Sequence, residues 1–204
     1  MKQKFSKQDV KFTKEEVLYD GFFTMKRFTF EHKLFAGGWS KPVAREVMVR
    51  GDAVCVLLYD PKVDKVLLIE QFRVGAIKHD SPWLLEVVAG MVEEGENDED
   101  VARREALEEA GVQVGRLEYM FQFLPSPGGL IEYLRMYAGE FDASQVNLNN
   151  HFGLAEENED IRLHLMTAQE AIGLLETEID NASAIMALQW LALNKAKLRE
   201  KWGY

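Results

Sequence analysis

Residues 90–112 constrain the fold of this chain more than any other stretch, because glycines, glutamates and one arginine stand there at fixed offsets around a predicted helix. The segment reads G-M-V-E-E-G-E-N-D-E-D-V-A-R-R-E-A-L-E-E-A-G-V. Asn97 or Asp98 suits a helix N-cap, and Gly111 suits a left-handed C-terminal position. At average residue frequencies, such a set of fixed positions arises by chance on the order of once in a million sequences. The segment is therefore predicted to form a helix over residues 98–110 between two loops.

Three carboxylates share one face of this predicted helix. Glu105, Glu108 and Glu109 fall within an arc of roughly 100°, since residues three and four apart are neighbours on a helix surface. Like charges at that spacing are unfavourable unless a cation lies between them. Carboxylate oxygens completed by waters and phosphates are the ligands that Mg²⁺ prefers. The face therefore predicts a metal site, with Arg104 orienting the carboxylates through its planar fork.

A solvated acidic helix face would explain the three glutamates by themselves. It does not explain the additional fixed residues, which are Gly90, Glu96, Arg104 and Gly111. With all of these residues the segment resembles the box of the Nudix hydrolase family. That resemblance implies hydrolysis of a nucleoside diphosphate linked to another group, with Mg²⁺ as the metal and Mn²⁺ as a substitute. The implied metal ligands on this side of the site are the backbone carbonyl of Ala89 and the side chains of Glu105, Glu108 and Glu109.

The composition excludes several classes of protein. The 204 residues are 47% hydrophobic, enough for a full core, and their formal net charge is -10. That charge argues against a nucleic-acid-binding surface, which needs a basic patch. The N-terminal residues lack the apolar region of a signal peptide, and no run approaches the roughly 18 apolar residues of a membrane span. We expect a cytoplasmic protein with neither a membrane nor a nucleic acid as partner.

Residues 1–50 and residues 51–204 differ in pattern, which predicts two domains. Residues 22–35 and 43–49 are rich in β-formers around an Ala-Gly-Gly turn, which predicts a small N-terminal antiparallel β subdomain. So small a sheet needs a second surface to pack against, either the main domain or another subunit. In residues 51–204 short strands interleave with helices, which predicts a mixed α/β fold, an α/β/α sandwich in which helices flank a mixed sheet. The predicted strands are 53–59, 65–71, 84–88, 117–124, 131–140 and 161–166, and the predicted helices are 98–110, 168–176 and 182–200.

A second acidic cluster ends a long loop-like stretch, residues 143–160. Loops of this length inside a compact domain are usually functional or mobile. A carboxylate there could activate water for a metal-dependent hydrolase, although a solvated acidic loop explains the composition equally well. Residues 153–162, G-L-A-E-E-N-E-D-I-R, are similar to a segment of bacterial-type ADP-ribose pyrophosphatases within the Nudix family. That likeness implies that Glu157 is the water-activating base and Glu159 an additional metal ligand.

The same resemblance implies substrate contacts outside the two acidic clusters. Phe22 matches a position that stacks on adenine, Arg45 and Arg73 match positions that contact the substrate, and Glu132 matches one that reaches the site of the other subunit. Without the resemblance, Phe22 could equally be a core residue, Arg45 a strand surface charge and Arg73 half of a structural ion pair. The implied substrate-binding residues are Phe22, Arg45, Glu46, Arg73, Ser126, Gly128 and Glu132.

The implied reaction is Mg²⁺-dependent hydrolysis of ADP-ribose to AMP and ribose 5-phosphate. Glu157 accepts the proton of the attacking water, and Arg104 and Glu108 complete the implied catalytic residues. The resemblance also implies a homodimer in which the N-terminal subdomain is exchanged, so that both subunits contribute to one site.

Three alternatives stand beside this reading. A pyrophosphatase for another nucleoside diphosphate sugar, such as GDP-mannose, would share most of these features. A non-catalytic ADP-ribose sensor would have lost the box glutamates, yet all of them are present. A hydrolase of RNA caps or nucleic acid is disfavoured by the charge of -10.

Overall fold

The computed structural model describes residues 4–154, 156 and 158–204, and the chain divides into two compact units. The first unit runs to Gly51 and includes Leu124–Tyr133. The second consists of Asp52–Phe123 and Leu134–Tyr204. Residues 124–133 were expected in the second domain, but a short strand within them pairs with the N-terminal sheet.

The described residues form eleven strands, three α-helices and several short 3₁₀ turns. The strands are β1 (Val10–Asp20), β2 (Thr24–His32), β3 (Val43–Val49), β4 (Ala53–Asp60), β5 (Lys65–Phe72), β6 (Trp83–Glu86), β7 (Val88–Met91), β8 (Leu117–Phe123), β9 (Leu130–Ile131), β10 (Leu134–Glu140) and β11 (Arg162–Thr167). The helices are α1 (Asp98–Ala110), α2 (Ala168–Gly173) and α3 (Ala182–Trp202). None of these helices combines the length and apolar character needed to cross a membrane.

The first unit is a four-stranded sheet with the order β1-β2-β3-β9. β1, β2 and β3 are antiparallel neighbours, whereas β9 runs parallel to β3 with Met48 opposite Leu130. The expectation of a purely antiparallel subdomain was therefore wrong at this edge, because β9 arrives from a distant part of the chain. β1 was not predicted, since its charged residues on an edge strand obscure the alternation that marks a half-buried strand.

The second unit is a sheet with the order β11-β5-β4-β10-β8, in which β6 also pairs with β5 and β7 with β4. β10 is parallel to β4 and antiparallel to β8, so the predicted mixed sheet is confirmed. Every residue of the central strand β4 is buried. Alternate side chains of β4 contact α1 on one face of the sheet and α3 on the other. This is the predicted α/β/α sandwich.

Helix α1 has the predicted ends. The side chain of Asn97 accepts a hydrogen bond from the amide of Glu99 at 2.8 Å, and Gly111 ends the helix in the left-handed conformation with φ of 64°. Val101, Ala102 and Ala106 are buried against the sheet. That buried stripe fixes the rotation of α1 and therefore the direction in which its glutamates point.

Two predicted strands are interrupted in the structure. The strand expected over 84–88 is β6 followed by β7, which pair with different neighbours, β5 and β4. The strand expected over 131–140 is β9 followed by β10, which belong to different sheets. The first break falls at the apolar residue Val87 and the second at Glu132 and Tyr133, so neither is marked by glycine, proline or a turn sequence. The break between β6 and β7 places Ala89 beside the end of α1.

Candidate active site

The three glutamates of α1 lie at the edge of the buried stripe, where the helix meets β7. Glu109 is only 4% exposed, and Glu105 and Glu108 are half-buried. The Glu109 carboxylate accepts a hydrogen bond from the backbone amide of Ala89 at 3.0 Å. The structure therefore brings together the helix carboxylates and the strand residue that the sequence singled out.

The glutamates of α1 carry more negative charge than the neighbouring positive groups neutralise. Burial raises the pKa of Glu109 to about 8, with further upward contributions from the charges of Glu105 and Glu159, while the Ala89 amide and Arg73 act in the opposite direction. Burial also raises the pKa of Glu105, assisted by the charges of Glu108 and Glu159 and opposed by Arg104. A cation would lower the free energy of this group of carboxylates.

Arg104 supplies part of that positive charge. Its Nη1 atom donates to Glu105 Oε1 at 2.6 Å and to Glu108 Oε2 at 3.3 Å, and its Nη2 lies 3.6 Å from Glu96 Oε2. The predicted orienting contact of Arg104 with the glutamates is thus present. Among the described residues, no group of three or more acidic, histidine or cysteine side chains stands in a metal-binding arrangement.

The glycines of the segment have identifiable physical roles. A Cβ atom at Gly90 would overlap the side chain of Glu105, so only glycine allows this carboxylate to lie against β7. Gly111 has a positive φ, and a Cβ there would overlap the ring of Phe152. The Glu96 carboxylate accepts the amide of Glu93 at 2.9 Å and holds the turn before the helix.

The acidic loop is joined to the end of α1. The amide of Gly153 donates to the carbonyl of Glu108 at 3.3 Å, and Gly153 has a φ of 97°. The Glu159 carboxylate accepts the amide of Leu154 at 3.4 Å. Glu159 also contributes to the electrostatic environment of Glu105, Glu109 and Arg73, which places it on the same side of the unit. Glu157, the predicted base, lies outside the described residues.

Arg73 forms an ion pair with Glu86, and its predicted contact with substrate stays a prediction. Its Nε donates to both oxygens of Glu86, at 3.2 and 3.0 Å, and its Nη2 donates to Glu86 Oε2 at 2.8 Å. The side-chain amide of the buried Gln71 lies 3.4 Å from the same oxygen. Neither Glu86 nor Gln71 was selected from the sequence. The available signal was one acidic residue inside the apolar run of β6 and β7.

Two of the predicted substrate contacts, Arg45 and Glu46, lie on β3, and a third, Phe22, lies in the turn between β1 and β2. Phe22 is 85% exposed and packs edge-on against Phe23, with ring centroids 4.8 Å apart, so it is not a core residue. Arg45 donates from Nη1 to the carbonyl of Ala44 at 2.8 Å. Glu46 is ion-paired with Arg27 at 2.5 Å.

The other predicted contacts of the first unit lie in and beside a turn. The carbonyl of Ser126 accepts the amides of Gly129 at 3.1 Å and Leu130 at 2.9 Å. A Cβ at Gly128 would meet nothing within 4 Å. Glu132 is 3% exposed, with its Oε1 3.3 Å from Arg50 Nε. The Glu132 carboxylate is therefore enclosed by the protein in this structure, whereas Gly128 lies in open space.

The chain is similar to known proteins along most of its length. Residues 49–203 match the NUDIX domain family. The chain is 50% identical to an ADP-ribose pyrophosphatase of Haemophilus influenzae, over 98% of this chain and 94% of that protein. It is 48% identical to an ADP-ribose pyrophosphatase of Escherichia coli K12, over 97% and 95%. A GDP-mannose pyrophosphatase of Pectobacterium atrosepticum is 35% identical over 86% and 90%.

A solved structure with the same fold is described as the crystal structure of an ADP compounds hydrolase. It matches with a TM-score of 0.74, covers 96% of this chain and 99% of that chain, and shares 20% sequence identity. At that identity the match supports the fold alone. The range matched by the NUDIX domain, residues 49–203, includes α1 and the acidic loop of this chain. From its sequence relatives, this chain belongs to the Nudix family.

Proposed function

We propose that this protein hydrolyses the pyrophosphate of ADP-ribose to AMP and ribose 5-phosphate. The observation that carries the proposal is the carboxylate face of α1, with Glu109 buried against the Ala89 amide. The nearly full-length similarity to two ADP-ribose pyrophosphatases supports the choice of substrate.

The donor set fits Mg²⁺, with Mn²⁺ as a substitute, because it offers hard oxygen ligands and excess negative charge. The proposed ligands are Glu105, Glu108, Glu109, Glu159 and the carbonyl of Ala89. When bound, the metal neutralises the pyrophosphate and lowers the pKa of water. Glu109, whose pKa burial raises to about 8, would have its charge offset by a cation held there.

The residues of the chain perform the remaining steps. Glu157 takes the proton from water as the oxygen of that water forms a bond to phosphorus, and the bridging P–O bond breaks so that AMP and ribose 5-phosphate separate. Arg104 holds Glu105 and Glu108 in place. Arg73 and Arg45 offer their guanidinium groups to the phosphates, and Phe22 offers an exposed ring to the adenine.

A side-by-side assay tests the substrate. ADP-ribose, GDP-mannose, NADH and diadenosine polyphosphates are compared with Mg²⁺ present, and products are separated by chromatography. We expect the highest kcat/KM with ADP-ribose and equal amounts of AMP and ribose 5-phosphate. An equal or higher kcat/KM with GDP-mannose would replace this proposal by the alternative that the 35% identical relative represents.

We also propose a homodimer formed through the first unit. That unit leaves large apolar side chains exposed, including Phe12, Tyr19 and Phe35. A monomer rarely leaves that much apolar surface in water, and a second copy would cover it. Light scattering should give about twice the chain mass of 23.4 kDa. A monomer at micromolar concentration would contradict the dimer.

The cytoplasmic location of the protein stays a prediction.

Metal binding should depend on pH because Glu109 must lose its proton first. Burial raises the pKa of Glu109 in the folded protein from its ordinary value of 4.5 to about 8. The stability associated with the protonated Glu109 carboxyl is therefore complete below pH 4.5 and is lost as pH rises through 8. We therefore expect the melting temperature of the metal-free protein to fall between pH 6 and 9. Over the same range Mg²⁺ affinity should rise by roughly tenfold per pH unit up to pH 8. Calorimetry in two buffers of different ionisation enthalpy should detect proton release at pH 7, and its absence would contradict the assignment.

Gly128→Ala should raise KM without affecting the fold. The added methyl group meets no protein atom within 4 Å, and Gly128 does not have a positive φ. If the backbone approaches ADP-ribose there, we expect KM to increase by about tenfold, equivalent to roughly 1.4 kcal/mol. Steady-state kinetics and thermal melting measure the two effects. Gly75→Ala is the matched control, since that position is equally open. Unchanged KM in the Gly128 variant would remove this residue from the site.

A further inference from the structure

Glu86 holds one edge of the Arg73 guanidinium. In the described part of the chain, all three side-chain hydrogen bonds of Arg73 go to this carboxylate, two from Nε and one from Nη2. Because Nε and Nη2 lie on the same edge of the planar fork, Nη1 is directed away from Glu86. Gln71, which is buried, donates to the same carboxylate at 3.4 Å. The contact with Gln71 therefore helps to fix the Glu86 carboxylate, which in turn orients the Arg73 guanidinium.

Arg73 also stands within electrostatic range of the carboxylates at the end of α1. Burial lowers its pKa, but the hydrogen bonds and charge of Glu86, followed by the charges of Glu109 and Glu159, raise it above the ordinary value overall. The backbone of Arg73 is fixed by its amide, which donates to the Pro82 carbonyl at 2.8 Å. The side chain is 40% exposed, so it retains room to turn. Glu109 and Glu159 are the other carboxylates whose charges act on this guanidinium, so Arg73 would be drawn towards them without Glu86.

We propose that Glu86 is a positioning residue that keeps the Arg73 guanidinium off the carboxylates of Glu109 and Glu159 and directs its Nη1 edge towards a phosphate of the substrate. The inference rests on the proposed function for the identity of the phosphate ligand. It adds that the ion pair has two effects, one on the phosphate contact and one on the availability of carboxylates for metal. A purely structural ion pair would affect stability alone.

The test compares wild type, Glu86→Gln, Arg73→Ala and the double variant. Glutamine keeps the shape of Glu86 but removes the charge that retains Arg73. We expect Glu86→Gln to raise the KM for ADP-ribose by about tenfold, with a smaller change in kcat, because binding of the phosphate is what suffers. In the Arg73→Ala background the same change should have almost no further effect, since Glu86 acts through Arg73.

Metal binding without substrate gives a second readout. Mn²⁺ titration followed by electron paramagnetic resonance should show weaker binding in Glu86→Gln, because the released Arg73 competes for Glu109 and Glu159. The double variant should regain at least the wild-type affinity, because the competing cation is gone. A structural role alone does not predict this recovery. Additive losses in the double variant, or unchanged Mn²⁺ affinity in Glu86→Gln, would overturn the inference.

Glu70→Gln is the matched control, since Glu70 lies on the same strand as Gln71 and pairs with His164 at 2.7 Å. It should change neither KM nor Mn²⁺ affinity. If Glu86→Gln melts below the assay temperature, Glu86→Asp replaces it. Aspartate keeps the charge but is one methylene shorter, so it should lose the bidentate contact with Arg73 and again raise KM. A wild type that hydrolyses no nucleoside diphosphate sugar would end the proposed function, whereas the Mn²⁺ titrations would still decide the role of Glu86.

Discussion

Glu109→Gln is expected to lower kcat by at least about 100-fold while leaving the fold intact, since losing one charge-stabilising group costs roughly 10² to 10³ in kcat. The glutamine oxygen can still accept the Ala89 amide, so the contact between α1 and β7 survives. The variant no longer buries a carboxylate that is costly to ionise. Above pH 8 the metal-free variant should therefore melt at a higher temperature than wild type. Kinetics with ADP-ribose, Mg²⁺ calorimetry and thermal melting measure the three effects.

The combined changes in activity, Mg²⁺ affinity and melting temperature distinguish a metal ligand from a structural residue. A structural glutamate would lose stability and activity together, whereas we expect activity and Mg²⁺ affinity to fall as stability rises. Glu94→Gln, a neighbouring exposed glutamate, is the matched control and should leave all three unchanged. Glu157→Gln offers a contrast, because a base that binds no metal should lower kcat with Mg²⁺ affinity preserved. Near-native turnover in Glu109→Gln would refute the metal assignment.

Gly90→Ala should be the most damaging change of one methyl group in the site. The new Cβ would overlap the Glu105 side chain, which must turn away from β7. Since the overlapping atoms belong to a flexible side chain, the fold should tolerate the change, but Glu105 would lose both its position and its contact with Arg104. A displacement of about 1 Å in a catalytic arrangement can cost 10²-fold. We expect kcat to fall by about that factor.

Gly173→Ala is the control for the general effect of adding a methyl group, since nothing lies within 4 Å of its Cβ position. Its activity should equal that of wild type. Mg²⁺ affinity separates displacement of Glu105 from general damage, because it should fall in Gly90→Ala even where the melting temperature changes little. Wild-type activity in Gly90→Ala would show that the present position of Glu105 is irrelevant to catalysis.

The elements that carry their own local signals were predicted well. Helix α1 agrees with its predicted limits because Asn97 and Gly111 mark them chemically. The capping box of Thr167 and Glu170 likewise begins α2 where it was expected. β1 was missed because an exposed edge strand has no buried face to impose alternation. The break between β9 and β10 was missed because Glu132 and Tyr133 carry no turn signal, although the strands on either side belong to different sheets.

In the site, too, the features with local sequence signals were predicted and those that depend on packing were not. The glutamates of α1 could be assigned to one face from spacing alone, since helical geometry relates residues three and four apart. The ion pair between Arg73 and Glu86 could not, because it joins two strands whose register depends on the whole sheet. The exposure of Phe22 and the burial of Glu132 also depend on packing. No local pattern distinguishes an aromatic ring that faces solvent from one in a core.

By itself the sequence determined the reaction class of the family and the face on which the α1 carboxylates stand, because these depend on residues close together along the chain. Only the tertiary structure decided which groups surround those carboxylates and offset their charge. Ala89 reaches Glu109, Gly90 makes room for Glu105, and Glu86 restrains Arg73 through contacts between strands and helix. Burial and hydrogen bonds between distant segments set the protonation and the orientation of each group, and they exist only after the chain has folded.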